Sequence, residues 1–153
     1  MLRDSLTNLT SAVTNLERAL AIPKDRELVV EGTIHRFETT IELMWKTLKR
    51  ALEYEGLHPK TPRESLREAF RAGWLHDEDV WLDMLDKRNT TSHVYLAEEL
   101  AEDNYEDIRT VTPFLRQTLD FLIVRYADLP EEPTVAASRS APRRRRRRSR
   151  SAG

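Results

Sequence analysis

The stretch Ile34-His35-Arg36-Phe37-Glu38-Thr39-Thr40-Ile41-Glu42-Leu43-Met44-Trp45-Lys46-Thr47-Leu48-Lys49-Arg50-Ala51-Leu52 sets large apolar residues at 34, 37, 41, 44, 45, 48 and 52. Those steps of three and four trace one stripe of an amphipathic helix, with charged residues filling the remaining face. Leu28 lies at its start, and Gly56 stands where a C-terminal capping glycine belongs.

Upstream, Leu2, Leu6, Leu9, Val13, Leu16 and Leu20 repeat the same spacing and stop before Pro23. Only a few residues around Pro23 to Asp25 join the two helices, which predicts an antiparallel hairpin. Downstream, Thr61-Pro62-Arg63-Glu64 combines a capping threonine, a proline at the first helical position and a glutamate three residues after the cap. That helix carries Leu66, Ala69 and Phe70 to Gly73, and Asp77-Glu78-Asp79 then opens another around Val80, Trp81, Met84 and Leu85. A last helix is expected from about Ala97 to Ala127, kinked or briefly broken at Pro113, which lacks a backbone donor. No segment alternates in the manner of a strand. The fold class is therefore all-α, an antiparallel bundle of about five helices.

The chain has 153 residues, no cysteine and a formal net charge of −1, but that near-neutrality is a sum of two unlike parts. Up to Leu129 there are 17 basic and 24 acidic residues, and beyond it eight arginines face Glu131 and Glu132, so a body at −7 precedes a tail at +6. Residues 1–129 suffice for one domain with its own core. Residues 130–153, rich in Pro, Ser, Ala and Arg, bury too little apolar surface to offset ordering entropy and are expected to be disordered. Lack of cysteine excludes disulfides and thiolate chemistry, and fits a reducing compartment. With no apolar run near membrane length and no signal-peptide pattern at Met1-Leu2-Arg3-Asp4, a cytoplasmic protein without a membrane partner is expected.

Few residues offer chemistry. His35, His58, His76 and His93 show no pairing at helical metal-ligand spacing, so no metal or other cofactor is expected. Glu98-Glu99, Glu102-Asp103 and Glu106-Asp107 read as a solvated helix face. Phe37, Met44, Trp45, Trp74 and Trp81 fall on apolar helical phases and read as core or interface; His35 and His76 read as structural. Lys46, Lys49 and Arg50 could line a path for RNA or simply be solvated. Arg88-Asn89-Thr90-Thr91-Ser92-His93-Val94-Tyr95 stands apart, being almost wholly polar directly after an amphipathic run. Its threonines and serine compete for the backbone, so the helix is expected to end or bend at Thr90 to Ser92. Spacing alone is compatible both with a polar helix end and with a site that joins Arg88, Asn89, His93 and Tyr95.

Those same residues resemble a known family. Arg88-Asn89 followed by His93 and Tyr95 is similar to the Arg-x4-His-x-Tyr signature of the HEPN superfamily, in the branch encoded beside minimal nucleotidyltransferases. Gly32-x-Ile34-x-Arg36-Phe37-Glu38, Trp45-Lys46-x-Leu48-Lys49, Pro62-Arg63, Ala69 and Trp81-Leu82 resemble its subfamily of nucleotidyltransferase substrate-binding proteins, over roughly Leu6 to Leu122. The resemblance implies a homodimer that brings two Arg-x4-His motifs into one cleft and cuts RNA without a metal. It makes Arg88 and His93 the catalytic pair, Asn89 a supporting polar residue, and Tyr95 the tyrosine that a nucleotidyltransferase antitoxin adenylylates to silence the toxin. A non-catalytic partner of the nucleotidyltransferase is the alternative. The run Arg143, Arg144, Arg145, Arg146, Arg147 and Arg148 lies outside the resemblance and reads as an RNA tether weakened by salt, or as a solubilising or partner-docking extension.

Overall fold

The computed structural model describes residues 2–93 and 98–129, with side chains described outside 87–100. Five helices follow one another: α1 (Leu2–Ala21), α2 (Val29–Tyr54), α3 (Pro62–Arg71), α4 (Glu78–His93) and α5 (Glu98–Arg125). No strand occurs among the described residues, as the helical periodicity predicts. The expected disorder of residues 130–153 lies outside the described residues.

α2 is the central element and packs against each of the other four helices. Its apolar stripe, Ile34, Phe37, Ile41, Met44, Leu48 and Leu52, is buried, as is the α1 stripe of Leu2, Leu9, Val13 and Leu16. The two helices form the expected antiparallel hairpin along a second, unanticipated line. Thr33, Thr40 and Thr47 are all buried at seven-residue intervals, and Ser5, Ala12 and Ala19 repeat the interval on α1. Thr40 Oγ1 lies 3.4 Å from the Ala12 carbonyl and Thr47 Oγ1 3.5 Å from that of Ser5. Seven residues forward on α2 is thus seven back on α1. Small side chains on α1 let the backbones approach, and a seven-residue period keeps such a seam facing its partner. The hydroxyls of Thr40 and Thr47 also donate within their own helix, to Arg36 O and Leu43 O, both at 2.7 Å, so neither of these donors is orphaned.

Helix ends follow the punctuation in the sequence. Leu57 N donates to Leu52 O and Gly56 N to Glu53 O, a Schellman closure that needs the left-handed φ of 94° at Gly56. Gly73, with φ 82°, closes α3 in the same way through Trp74 N to Ala69 O. At the start of α3, Thr61 Oγ1 accepts from Glu64 N at 3.0 Å, while the Glu64 carboxylate accepts from Lys60 N rather than from the cap residue itself. α5 runs unbroken from Glu98 to Arg125 with Pro113 inside it, so the expected break is absent. Ile108, Thr112, Leu115 and Leu119 are buried on both sides of the proline. Tertiary packing there outweighs one missing hydrogen bond.

Candidate functional site

The segment that carries the suspected chemistry is the last part of α4, and the first part of that helix fixes its position. Trp81, Met84 and Leu85 are 2%, 1% and 6% exposed. Trp81 and Leu85 border a small apolar gap together with Ile41, Met44 and Trp45 of α2 and Leu66 of α3. Arg63 of α3 reaches Asp86 at 3.1 Å, a surface pair that adds at most a few tenths of a kcal/mol.

Beyond Asp86 the chain stays helical through Thr90, Thr91 and Ser92 to His93. The described helix closes at His93, one residue beyond the stretch where an end or bend is expected. Arg88, Asn89 and His93 belong to this terminal stretch; their side chains, and the whole of Tyr95, lie outside the described residues.

His35, His58 and His76 are each exposed on separate elements, so His35 and His76 are not packed as structural residues. No group of three or more His, Cys, Asp or Glu that could hold a metal occurs among the described residues. Phe37, Met44, Trp74 and Trp81 are core, and Trp45 is half-buried. Lys46 and Lys49 are paired along their own helix with Glu42 and Glu53 at 3.5 Å and 2.9 Å. The α5 carboxylates Glu102, Asp103, Glu106 and Asp107 are exposed as expected.

Two polar constellations escape a reading by local pattern because their members come from distant segments. Tyr126 is buried where α5 ends; its hydroxyl donates to Glu55 Oε2 at 2.8 Å, and Arg125 Nη2 donates to the same oxygen at 3.0 Å. Burial, ahead of the carboxylate's own effect, pushes the Tyr126 phenol up to about 12. The two donors hold the Glu55 carboxyl below its ordinary range, Tyr126 contributing most. The second constellation is a cleft of about 350 Å³ between α1 and α2, bordered by Ala12, Asn15, Gly32, His35, Arg36, Thr39 and Thr40.

The fold is a five-helix bundle that places Arg88 and His93 in the last turns of α4. The family model for nucleotidyltransferase substrate binding protein like proteins matches residues 4–123, and the chain belongs to that family. The chain is 30% identical over 107 residues to the Probable ribonuclease HepT of Haemophilus influenzae, a match covering 60% of this chain and 73% of that protein. A crystal structure of a Thermus thermophilus protein superposes with a TM-score of 0.68 at 30% identity, covering 74% of this chain and 98% of the other. No helix among the described residues is long and apolar enough to cross a membrane.

Proposed function

We propose that the protein is a metal-independent endoribonuclease of a HEPN toxin–antitoxin pair, active as a homodimer and held in check by a cognate minimal nucleotidyltransferase. The observation that carries this reading is the pair Arg88 and His93 on the terminal turns of α4, in a family member similar to a protein named as a probable ribonuclease. RNA cleavage without a metal removes the 2′-hydroxyl proton, lets that oxygen attack phosphorus, stabilises the phosphorane-like oxyanion and protonates the departing 5′-oxygen. Imidazole titrates near neutrality and serves either proton step, while guanidinium offers fixed paired donors to phosphate oxygens. One His93 cannot be base and acid at once. Two chains supply both needs: His93 of one acts as base and His93 of the other as acid, with both Arg88 side chains on the scissile phosphate and Asn89 in support. Transfer of AMP from ATP to the Tyr95 phenol oxygen, with pyrophosphate leaving, adds bulk and negative charge beside this cleft and excludes RNA. The arginine run from Arg143 to Arg148 acts as a non-specific tether for the substrate.

The family's own description favours a second reading, a non-catalytic subunit that serves a nucleotidyltransferase. Expression of the wild type and of His93→Ala without any partner, with growth scored in cells and RNA integrity scored in vitro in EDTA, separates the two. Arrested growth and cleaved RNA for the wild type only support the nuclease; equal growth and intact RNA for both establish the binding subunit. Mass spectrometry after co-expression with the nucleotidyltransferase tests Tyr95, and an unmodified tyrosine in a neutralised complex points to inhibition by binding alone.

A further inference from the structure

The cleft between α1 and α2 has a composition unlike the rest of this acidic body. Asn15, His35, Arg36 and Thr39 supply its polar lining, and no carboxylate borders it. The two other polar clefts described each contain acids, Glu64 and Glu68 in one and Glu17 and Asp120 in the other. Some cations elsewhere on the body are neutralised, as Lys24 is by Glu106, Arg116 by Glu17 and Arg125 by Glu55, whereas Arg18, Arg26, Arg50 and Arg67 are unpaired among the described residues. Arg36 and His35 make no hydrogen bond or ion pair through their side chains among the described residues. A guanidinium left unpaired in a domain of net charge −7 is available to an external anion.

Gly32 provides an independent indication. It sits inside α2 with no positive φ, and a Cβ built on it meets nothing within 4 Å. Neither backbone conformation nor packing calls for glycine, which weakens a helix relative to alanine. Its effect is to keep the edge of the cleft bare, so that a ligand can approach the helix backbone. The lining contains no Phe, Tyr or Trp on which a base could stack. Cationic and amide donors without a stacking platform suit phosphate oxygens rather than nucleobases.

We propose that the α1–α2 cleft is a phosphate-binding site, with Arg36 as the charged anchor and Asn15, His35 and Thr39 as neighbouring polar contacts, and that it takes a backbone phosphate of an RNA strand. Gly32, His35, Arg36 and Thr39 lie on the face of α2 turned away from Ile41 and Trp45, where α4 packs. The site is therefore built on α1 and α2 alone and does not depend on the chemistry proposed for Arg88 and His93.

The test is chemical-shift mapping of amides in the full-length protein, titrated separately with inorganic phosphate and with a short oligouridylate. Reading local amides separates this cleft from the arginine-rich tail. Saturable shifts at Asn15, Gly32 and Thr39 with the oligouridylate, displaced by phosphate, are expected. Arg36→Gln should weaken binding about tenfold by removing a charge-assisted contact. Gly32→Leu, whose side chain enters open space without disturbing the core, should weaken it comparably while leaving the fold intact. Shifts with phosphate but none with the oligouridylate overturn the strand assignment in favour of a small phosphate ligand. Silence of these amides with both probes, or affinities within twofold of wild type in both variants, overturns the site.

Discussion

Replacing Tyr126 with phenylalanine tests the closure of the bundle where α2 and α5 end together. The ring is buried and stacks edge-on against Tyr54 and Trp74 at 5.7 Å and 6.4 Å, contacts that phenylalanine keeps. Only the hydroxyl is lost, and with it the 2.8 Å bond to Glu55 and two longer ones, accepted from Arg125 Nε at 3.3 Å and donated to the Ala51 carbonyl at 3.5 Å. A hydrogen bond to a charged acceptor contributes about 1.5–3 kcal/mol, but the Glu55 side chain is 34% exposed and water replaces part of the bond. The expected loss at neutral pH is therefore about 1 kcal/mol, or about 4 °C in Tm. Its pH dependence is diagnostic. Glu55 has a depressed folded-state value, so its contribution is present above 4.5 and is lost as pH falls through the lower folded value. Tyr126 has a raised value, so its contribution is present below 10.0 and is lost as pH rises through about 12. The gap between wild type and Tyr126→Phe should be widest near neutrality and narrow on both flanks; tyrosines common to both proteins cancel. Urea denaturation followed by tryptophan fluorescence across this range measures it. A gap of constant size, or none at neutral pH, would refute the reasoning.

Leu28→Asn should raise Tm by a few degrees, since Leu28 holds a left-handed φ of 68° while 70% exposed, and asparagine relieves about 1 kcal/mol of strain without losing burial; an unchanged or lower Tm in a circular-dichroism melt counts against it. Thr40→Val should stay within about 1 kcal/mol of wild type because the shape of the seam is kept, whereas Thr40→Leu should cost about 1–3 kcal/mol by forcing α1 from α2, and equal urea midpoints for the two would contradict close packing there. Leu85→Ala should cost about 2–5 kcal/mol by opening space beside Trp45 and Leu66, and a loss below about 1 kcal/mol would show that α4 is not anchored by this residue.

Helix positions were legible because large apolar residues recur at steps of three and four, and because Thr61, Gly56 and Gly73 punctuate the chain chemically. The threonine seam was not, since Thr33, Thr40 and Thr47 count as polar in any apolar stripe although each is at most 1% exposed. Its signal was the seven-residue interval shared with Ser5, Ala12 and Ala19. Pro113 misled: its missing donor argued for a kink or short break where the helix continues, and propensity yields to the burial of Ile108, Thr112, Leu115 and Leu119 on the neighbouring turns. The segment Arg88 to Tyr95 stood out for its polarity after an amphipathic run, but only the resemblance to a family gave Arg88 and His93 their roles. The α1–α2 cleft had no such local signal, because Asn15 and Arg36 meet only once the hairpin has formed.

The charge of this domain has a similar dependence on the fold. A sum of −7 over residues 1–129 suggests a body that repels RNA. Yet many of its carboxylates are engaged in holding helices together: Glu17 binds Arg116 across α1 and α5, Glu55 binds Arg125 across the ends of α2 and α5, Asp86 meets Arg63 across α3 and α4, and Glu106 takes Lys24 from the α1–α2 connection. Each such pair removes one cation with one carboxylate, so the excess of seven acids stays on the rest of the body, where its field fades within about 8 Å at physiological salt. What a polyanion meets at short range is set by where the remaining charges lie, and Arg36 borders a cleft with no carboxylate in its lining. An acidic domain can thus hold RNA by segregating its charges, and net charge fixes the long-range approach of the strand rather than the place where it is held.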